Sequence, residues 1–182
     1  MESSKIEDII NSIALKSDLE SNDIPTLDLY MDQIMTLFED KLANNKRHPD
    51  DKLLTKTMIN NYSKEGLIKP IKGKKYTKEQ ILQMLLVYNL KNTITMQEIK
   101  QLLLPSYQEE TSIEDLYQRF IAIKQNQKQE LKPLVQNIID TNHLSLDKES
   151  DRVLTIMALS ALSSRLKETV EKIIDSYYST DK

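Results

Sequence analysis

Two glycines serve a chain of 182 residues, and both fall in one short stretch, at Gly66 and Gly73. Glycine is the residue that takes positive φ without steric cost. A chain this poor in it has few places for tight hairpins or left-handed turns. Proline is scarce as well, at five residues. Leu, Ile, Lys, Glu, Gln and Met, good or tolerable helix formers, dominate. The expectation is an all-α chain with one locality where the backbone must turn sharply.

Apolar spacing supports this. Ser3 or Ser4 can cap a first helix with Ile6, Ile9, Ile10 and Ile13 on one face. The polar run from Lys16 to Asp23 reads as a linker or a fraying end. Thr26 then opens a helix whose stripe is Leu27, Tyr30, Met31, Ile34, Leu37, Phe38 and Leu42. A loop through Lys46, Arg47, His48 and Pro49 follows, and Thr55 caps a short helix from Lys56 to Glu65. Gly66 stands where a left-handed residue ends a helix, with Leu67 as its apolar contact. From Leu67 to Tyr76, β-branched and aromatic residues flank a Lys-Gly turn, which suits a small hairpin. Thr77-Lys78-Glu79-Gln80 and Thr95-Met96-Gln97-Glu98 are capping boxes for two more helices, the second stopped at Leu104-Pro105. Ser112 caps a long helix that Pro133 kinks or breaks. A last helix runs from Ser150 to Tyr178. Its portion from Val153 to Leu162 is apolar nearly all round, so it is central in a bundle or buried in an oligomer interface.

The residues speak against an enzyme and call for no cofactor. No glycine-rich phosphate loop can be built from two glycines. Cysteine is absent, which excludes disulfides, thiolate zinc sites and cysteine nucleophiles and leans towards a reducing compartment. His48 and His143 each stand alone in polar stretches, and the acidic pairs near Asp50 and Asp147 lack the calcium-loop glycine. No metal site is expected. The start, Met1-Glu2-Ser3-Ser4, is not a signal peptide, and no apolar run approaches the roughly 20 residues that span a bilayer. No membrane association and a cytoplasmic location are expected.

Charge is unevenly spread. Ten Lys stand against three Glu between Lys52 and Lys100, a local +7 inside a chain of net −3. Such a split suggests a basic working surface with acidic flanks, although solvated helix faces would look the same. On the short helix Met58, Ile59 and Tyr62 take one face, which turns Lys56, Thr57, Asn60, Asn61, Ser63 and Lys64 outward. Asn can bridge the N6 and N7 edge of adenine in the major groove, and lysines neutralise phosphates. The candidate DNA contacts are therefore Lys56, Thr57, Asn60, Asn61 and Lys64, with Lys69, Lys72, Lys74 and Lys75 crowding the hairpin.

These residues carry a family likeness. Asn61 to Pro70, then Lys75 to Ile81, then Thr95 to Leu103 resemble the winged helix of MerR-type regulators. There a Tyr-x-x-x-Gly-Leu-Ile-x-Pro recognition-helix end leads into a basic wing, and a Thr-x-x-Glu-Ile box opens a later helix. Leu29-Tyr30-Met31-Asp32-Gln33, Leu54 through Tyr62, and Lys74-Lys75-Tyr76 resemble a bacterial family called domain of unknown function 1836. The chain departs from the MerR pattern in the dozen residues, Pro49 among them, that precede Lys56. Its lack of cysteine also excludes that family's thiolate metal sensing.

The expected architecture is all-α, a MerR-like winged helix-turn-helix with a small β wing, followed by a C-terminal helical bundle. Residues 1–22 would be an N-terminal helix and linker, 23–105 the winged domain and 106–182 the helical domain. The expected function is DNA-binding transcription regulation on duplex DNA, by a homodimer joined through the C-terminal helices. A non-enzymatic protein–protein adaptor on the same scaffold is the alternative. Nothing in the residues specifies a small-molecule effector.

Overall fold

A computed structural model describes residues 3–71, 73–107 and 112–178. Seven α-helices, two short 3-10 turns and one two-stranded sheet make up its regular structure among the described residues. The helices are α1 (Ser3–Ala14), α2 (Met31–Leu42), α3 (Lys56–Lys64), α4 (Lys78–Leu90), α5 (Met96–Ser106), α6 (Ile113–Thr141) and α7 (Glu149–Tyr178). The strands are β1 (Leu29–Tyr30) and β2 (Lys75–Tyr76). The chain is thus mostly helical, as the shortage of glycine implies, and no helix among the described residues is long and apolar enough to cross a membrane.

The caps lie where the residue types put them. Thr55 Oγ1 accepts from the amide of Met58, Thr77 Oγ1 from Gln80 and Thr95 Oγ1 from Glu98. Ser112 Oγ accepts from the Asp115 amide at the start of α6. Each bond satisfies an amide that the first helical turn leaves without a partner.

Four local expectations differ from what forms. The residues before α2 do not extend it back to Thr26. Leu29 and Tyr30 are extended because they pair antiparallel with Tyr76 and Lys75, and Leu27 is left exposed. β2 therefore finds its partner some 45 residues upstream, not in residues 67–71. The backbone of Lys69 and Pro70 is occupied otherwise: the Lys69 amide donates to Gln83 Oε1, and Gln80 Nε2 donates to both carbonyls. α6 runs through Pro133 unbroken, since one missing amide in 29 residues leaves intact turns on both sides. α5 likewise continues one residue past Pro105.

The described chain divides into two compact units. The larger comprises Ser17–Ile121 and Ile174–Lys182. Its central helix is α4, in which every residue from Gln80 to Val87 is buried. Ile34, Phe38 and Leu42 of α2, Ile59 and Tyr62 of α3, and Ile99 and Leu103 of α5 share its core. The polar run after α1 is part of this core rather than a loose connection: Leu19 is buried and its carbonyl accepts from the buried Tyr117 hydroxyl at 2.6 Å. Asn45 clasps Ser17 through both its amide and its carbonyl.

The smaller unit comprises Met1–Lys16 and Ala122–Ile173. Its core is small. Ile10 of α1 packs with Val135 and Ile139 of α6, and Leu144, Leu146 and Leu159 close around them. Lys132 pairs with Glu7 at 2.9 Å. These divisions at residues 16/17, 121/122 and 173/174 fall elsewhere than the boundaries at 22/23 and 105/106 expected from composition, because Tyr117, Ile121 and Ile174 complete the larger core.

Candidate nucleic-acid interface

α3 has one apolar and one polar face. Ile59 and Tyr62 are buried, and burial pushes the Tyr62 hydroxyl above the ordinary range of a phenol. Lys56, Thr57, Asn60, Asn61 and Lys64 are all exposed. The helix ends in two bonds, the second of which needs a left-handed residue. With Gly66 at φ +73°, its amide donates to Ser63 O and the Leu67 amide reaches Tyr62 O at 2.9 Å. Leu67 and Ile68 then turn into the core.

Beyond Ile68 the chain returns to the surface. Lys69, Lys74 and Lys75 are exposed and Tyr76 is buried beside them. Gly73, at φ +82°, turns the chain back towards β2. Lys72 lies outside the described residues. Two devices hold this basic loop. On one side β2 pairs with β1; on the other, Gln80 and Gln83 of α4 hold the backbone of Lys69 and Pro70. The eight described candidates therefore share one continuous segment, Lys56 to Lys75, with every one of them facing solvent.

Their charges are not equally free. Lys56 pairs with Asp32 of α2, and Lys69 with Glu79 at 2.7 Å. Lys75 Nζ sits 4.9 Å from the centre of the Tyr30 ring. Lys64 and Lys74 make no ion pair among the described residues. Lys91 had added to the basic count, but it is structural. Its ammonium donates to Leu53 O at 2.8 Å and lies over Tyr88, and desolvation lowers its pKa. Lys78 is likewise engaged, with Glu114 at 2.7 Å.

Sequence reasoning overlooked one neighbour of α3. A depression of about 820 Å³ lies beside Asn61 and Glu65, lined also by Met58, Met96, Gln97 and Lys100. The Thr95 cap sets the first turn of α5, so Gln97 and Lys100, three residues apart, lie on the same side of it. That spacing was readable; its closeness to Asn61 was not. No group of three or more His, Asp or Glu among the described residues could hold a metal ion. His48 lies in the loop that Asp51 closes, accepting from the amides of Arg47 and His48.

Among known proteins, no curated sequence and no solved structure matches the chain. Residues 19–120 match the family described as domain of unknown function (DUF1836). That stretch is more than half of the chain and nearly coincides with Ser17–Ile121, the continuous part of the larger unit. The basic segment from Lys56 to Lys75 lies inside it. The chain is therefore a member of the DUF1836 family.

Proposed function

We propose that this chain is a cytoplasmic DNA-binding transcriptional regulator of the winged helix-turn-helix kind, with α3 as its reading helix and residues 69–75 as its wing. The observation that carries the reading is the sorting along Lys56 to Lys75: the apolar residues Ile59, Tyr62, Leu67 and Ile68 are buried, while eight basic or amide-and-hydroxyl candidates face solvent. Asn60 and Asn61 sit on the outward side of a short helix, where they could meet base edges. Lys64, Lys69, Lys74 and Lys75 follow directly and could meet phosphates on either side of a groove. The capped start of α3 and the double clasp on the loop hold both parts in place.

The test is duplex DNA titrated with the full chain at several salt concentrations. Binding of random duplex in the micromolar range near ~50 mM salt is expected, falling steeply as salt rises because neutralised phosphates release counterions. No binding at that salt by folded protein would overturn the reading. A second reading is a protein–protein adaptor. The pairing of Lys56 with Asp32 and of Lys69 with Glu79 favours it, because both lower the net charge the face presents.

A further inference from the structure

The last helix of the smaller unit carries an apolar face that the chain covers only in part. Over the first half of α7 the face is engaged: Thr155 is buried, and Leu159 packs on the cluster of Ile10, Val135 and Ile139. Over the second half the same face continues as Leu166, Val170 and Ile173, and these are 58%, 36% and 50% exposed. Among the described residues, none buries that ridge. The first half has the opposite shape. A groove of about 350 Å³ opens between α1 and α7, formed on α7 by Arg152, Thr155, Ile156 and Leu159 and on α1 by Ile6 and Ile9.

We propose that a second copy of this chain fills the groove, the two α7 helices running antiparallel about a twofold axis near Ser163, with the ridge of each copy in the groove of the other. A twofold interface requires that one patch meet itself, each half complementary to the other half. At 1.5 Å per residue, the groove residues of α7 centre about 11 Å before Ser163 and the ridge residues about 10 Å after it. Ridge and groove thus lie on one face of one helix, on either side of Ser163. A partner of another kind would not need them to share a face.

The spacing along the face agrees. Ile156, Leu159, Ser163, Leu166, Val170 and Ile173 alternate steps of three and four, the seam of two helices wound about each other. Pairing about Ser163 sets Ile156 against Val170 and brings Leu159 within one residue of Leu166. The residue on the axis is small, as close approach there needs. Of the positions flanking the seam, Thr155, Ser160, Leu162 and Thr169 are uncharged and only Lys167 carries charge, while Arg165, Glu168, Glu171 and Lys172 lie further round the helix.

The area is of the right order. Ile9, Ile156, Met157, Leu166, Val170 and Ile173 average about half exposed and present roughly 400 Å² of apolar surface. A standard-size interface buries ~800 Å² per partner, of which ~450 Å² is apolar. The inference stands whether or not the chain binds DNA.

The chain has no cysteine, so an introduced thiol reports without background. The full chain is expected to sediment at twice its 21.2 kDa mass at tens of micromolar. S163C should form a disulfide-linked dimer under mild copper-phenanthroline oxidation, and E168C, further round the helix, should not. V170D and I156D should each sediment as monomers with unchanged circular dichroism, since both residues are exposed in the single chain. A 21.2 kDa monomer for the native chain would overturn the proposal. So would a dimer that survives both aspartate substitutions, or one that E168C links and S163C does not.

Discussion

Gly66 and His143 hold the same position at the ends of two helices, and only one is the residue that position favours. Each takes positive φ, +73° and +51°, and each is followed by a leucine whose amide reaches back into the last turn, Leu67 to Tyr62 O and Leu144 to Ile139 O. An L-residue there costs about 1–2 kcal/mol. An added Cβ at Gly66 meets nothing within 4 Å, so the cost of Gly66→Ala is conformational alone. It should lower the unfolding free energy by about 1 kcal/mol in a urea titration, and His143→Gly should raise it by about 0.5–1 kcal/mol. The same scale decides the DNA reading. Asn60→Ala or Asn61→Ala should cost about 1–3 kcal/mol on a true site and little on random duplex. Lys74→Ala should weaken both alike and flatten the salt slope. Asparagine changes that weaken both kinds of DNA equally would mean α3 is no reading head.

Among the elements, α4 decides the most. Two glutamines in its buried first half hold the basic loop, and they are not equivalent. Gln80 donates to Lys69 O and Pro70 O and accepts from the Thr77 amide. Gln83 accepts from the Lys69 amide, while its own Nε2 is buried with no hydrogen-bond partner. Removing one side of a satisfied buried bond leaves the other side desolvated, whereas removing an unpartnered donor relieves a cost. Gln80→Leu should therefore destabilise by about 2 kcal/mol and Gln83→Leu by clearly less, read by thermal unfolding. Equal losses would show that the clasp contributes through packing and not through these bonds.

At the scale of the whole molecule, a helix-rich chain carries net charge −3 around a basic face, and acid should loosen it at identifiable places. The Lys78 ammonium and the Ser21 hydroxyl hold the Glu114 carboxyl below its ordinary range, and Lys41 does the same for Asp23. A carboxylate lowered in the folded state contributes stability above its unfolded pKa and loses it as pH falls through the lowered value. Glu114→Gln should therefore melt below the native chain at neutral pH, with the gap closing as the pH falls through the lowered value. A gap that persists in acid would assign the difference to packing.

Much of this was legible in the residues. The scarcity of glycine, the threonine caps at positions 55, 77 and 95, and the turn at Gly66 determined the helices around the candidate site and the face of α3 that meets solvent. These are local matters, settled by steps of three or four residues and by backbone dihedrals. The outward candidates are exposed because Ile59 and Tyr62, one turn apart, had to be buried. Tertiary structure decided the rest. Gln80 and Gln83 are buried polar residues because the backbone of Lys69, Pro70 and Thr77 supplies most of their partners, and α4 becomes the central helix. The all-round apolar stretch of α7 read as central in a bundle or buried in an oligomer interface; within the chain Val153, Leu154, Ile156 and Met157 are about half or more exposed, so it is not central. Lys75 and Tyr76 had a nearer strand available in sequence, but their partner is Leu29–Tyr30. Hydropathy and spacing say what a segment could bury; which groups arrive from distant residues to bury it, or to bond it, is a property of the assembled chain.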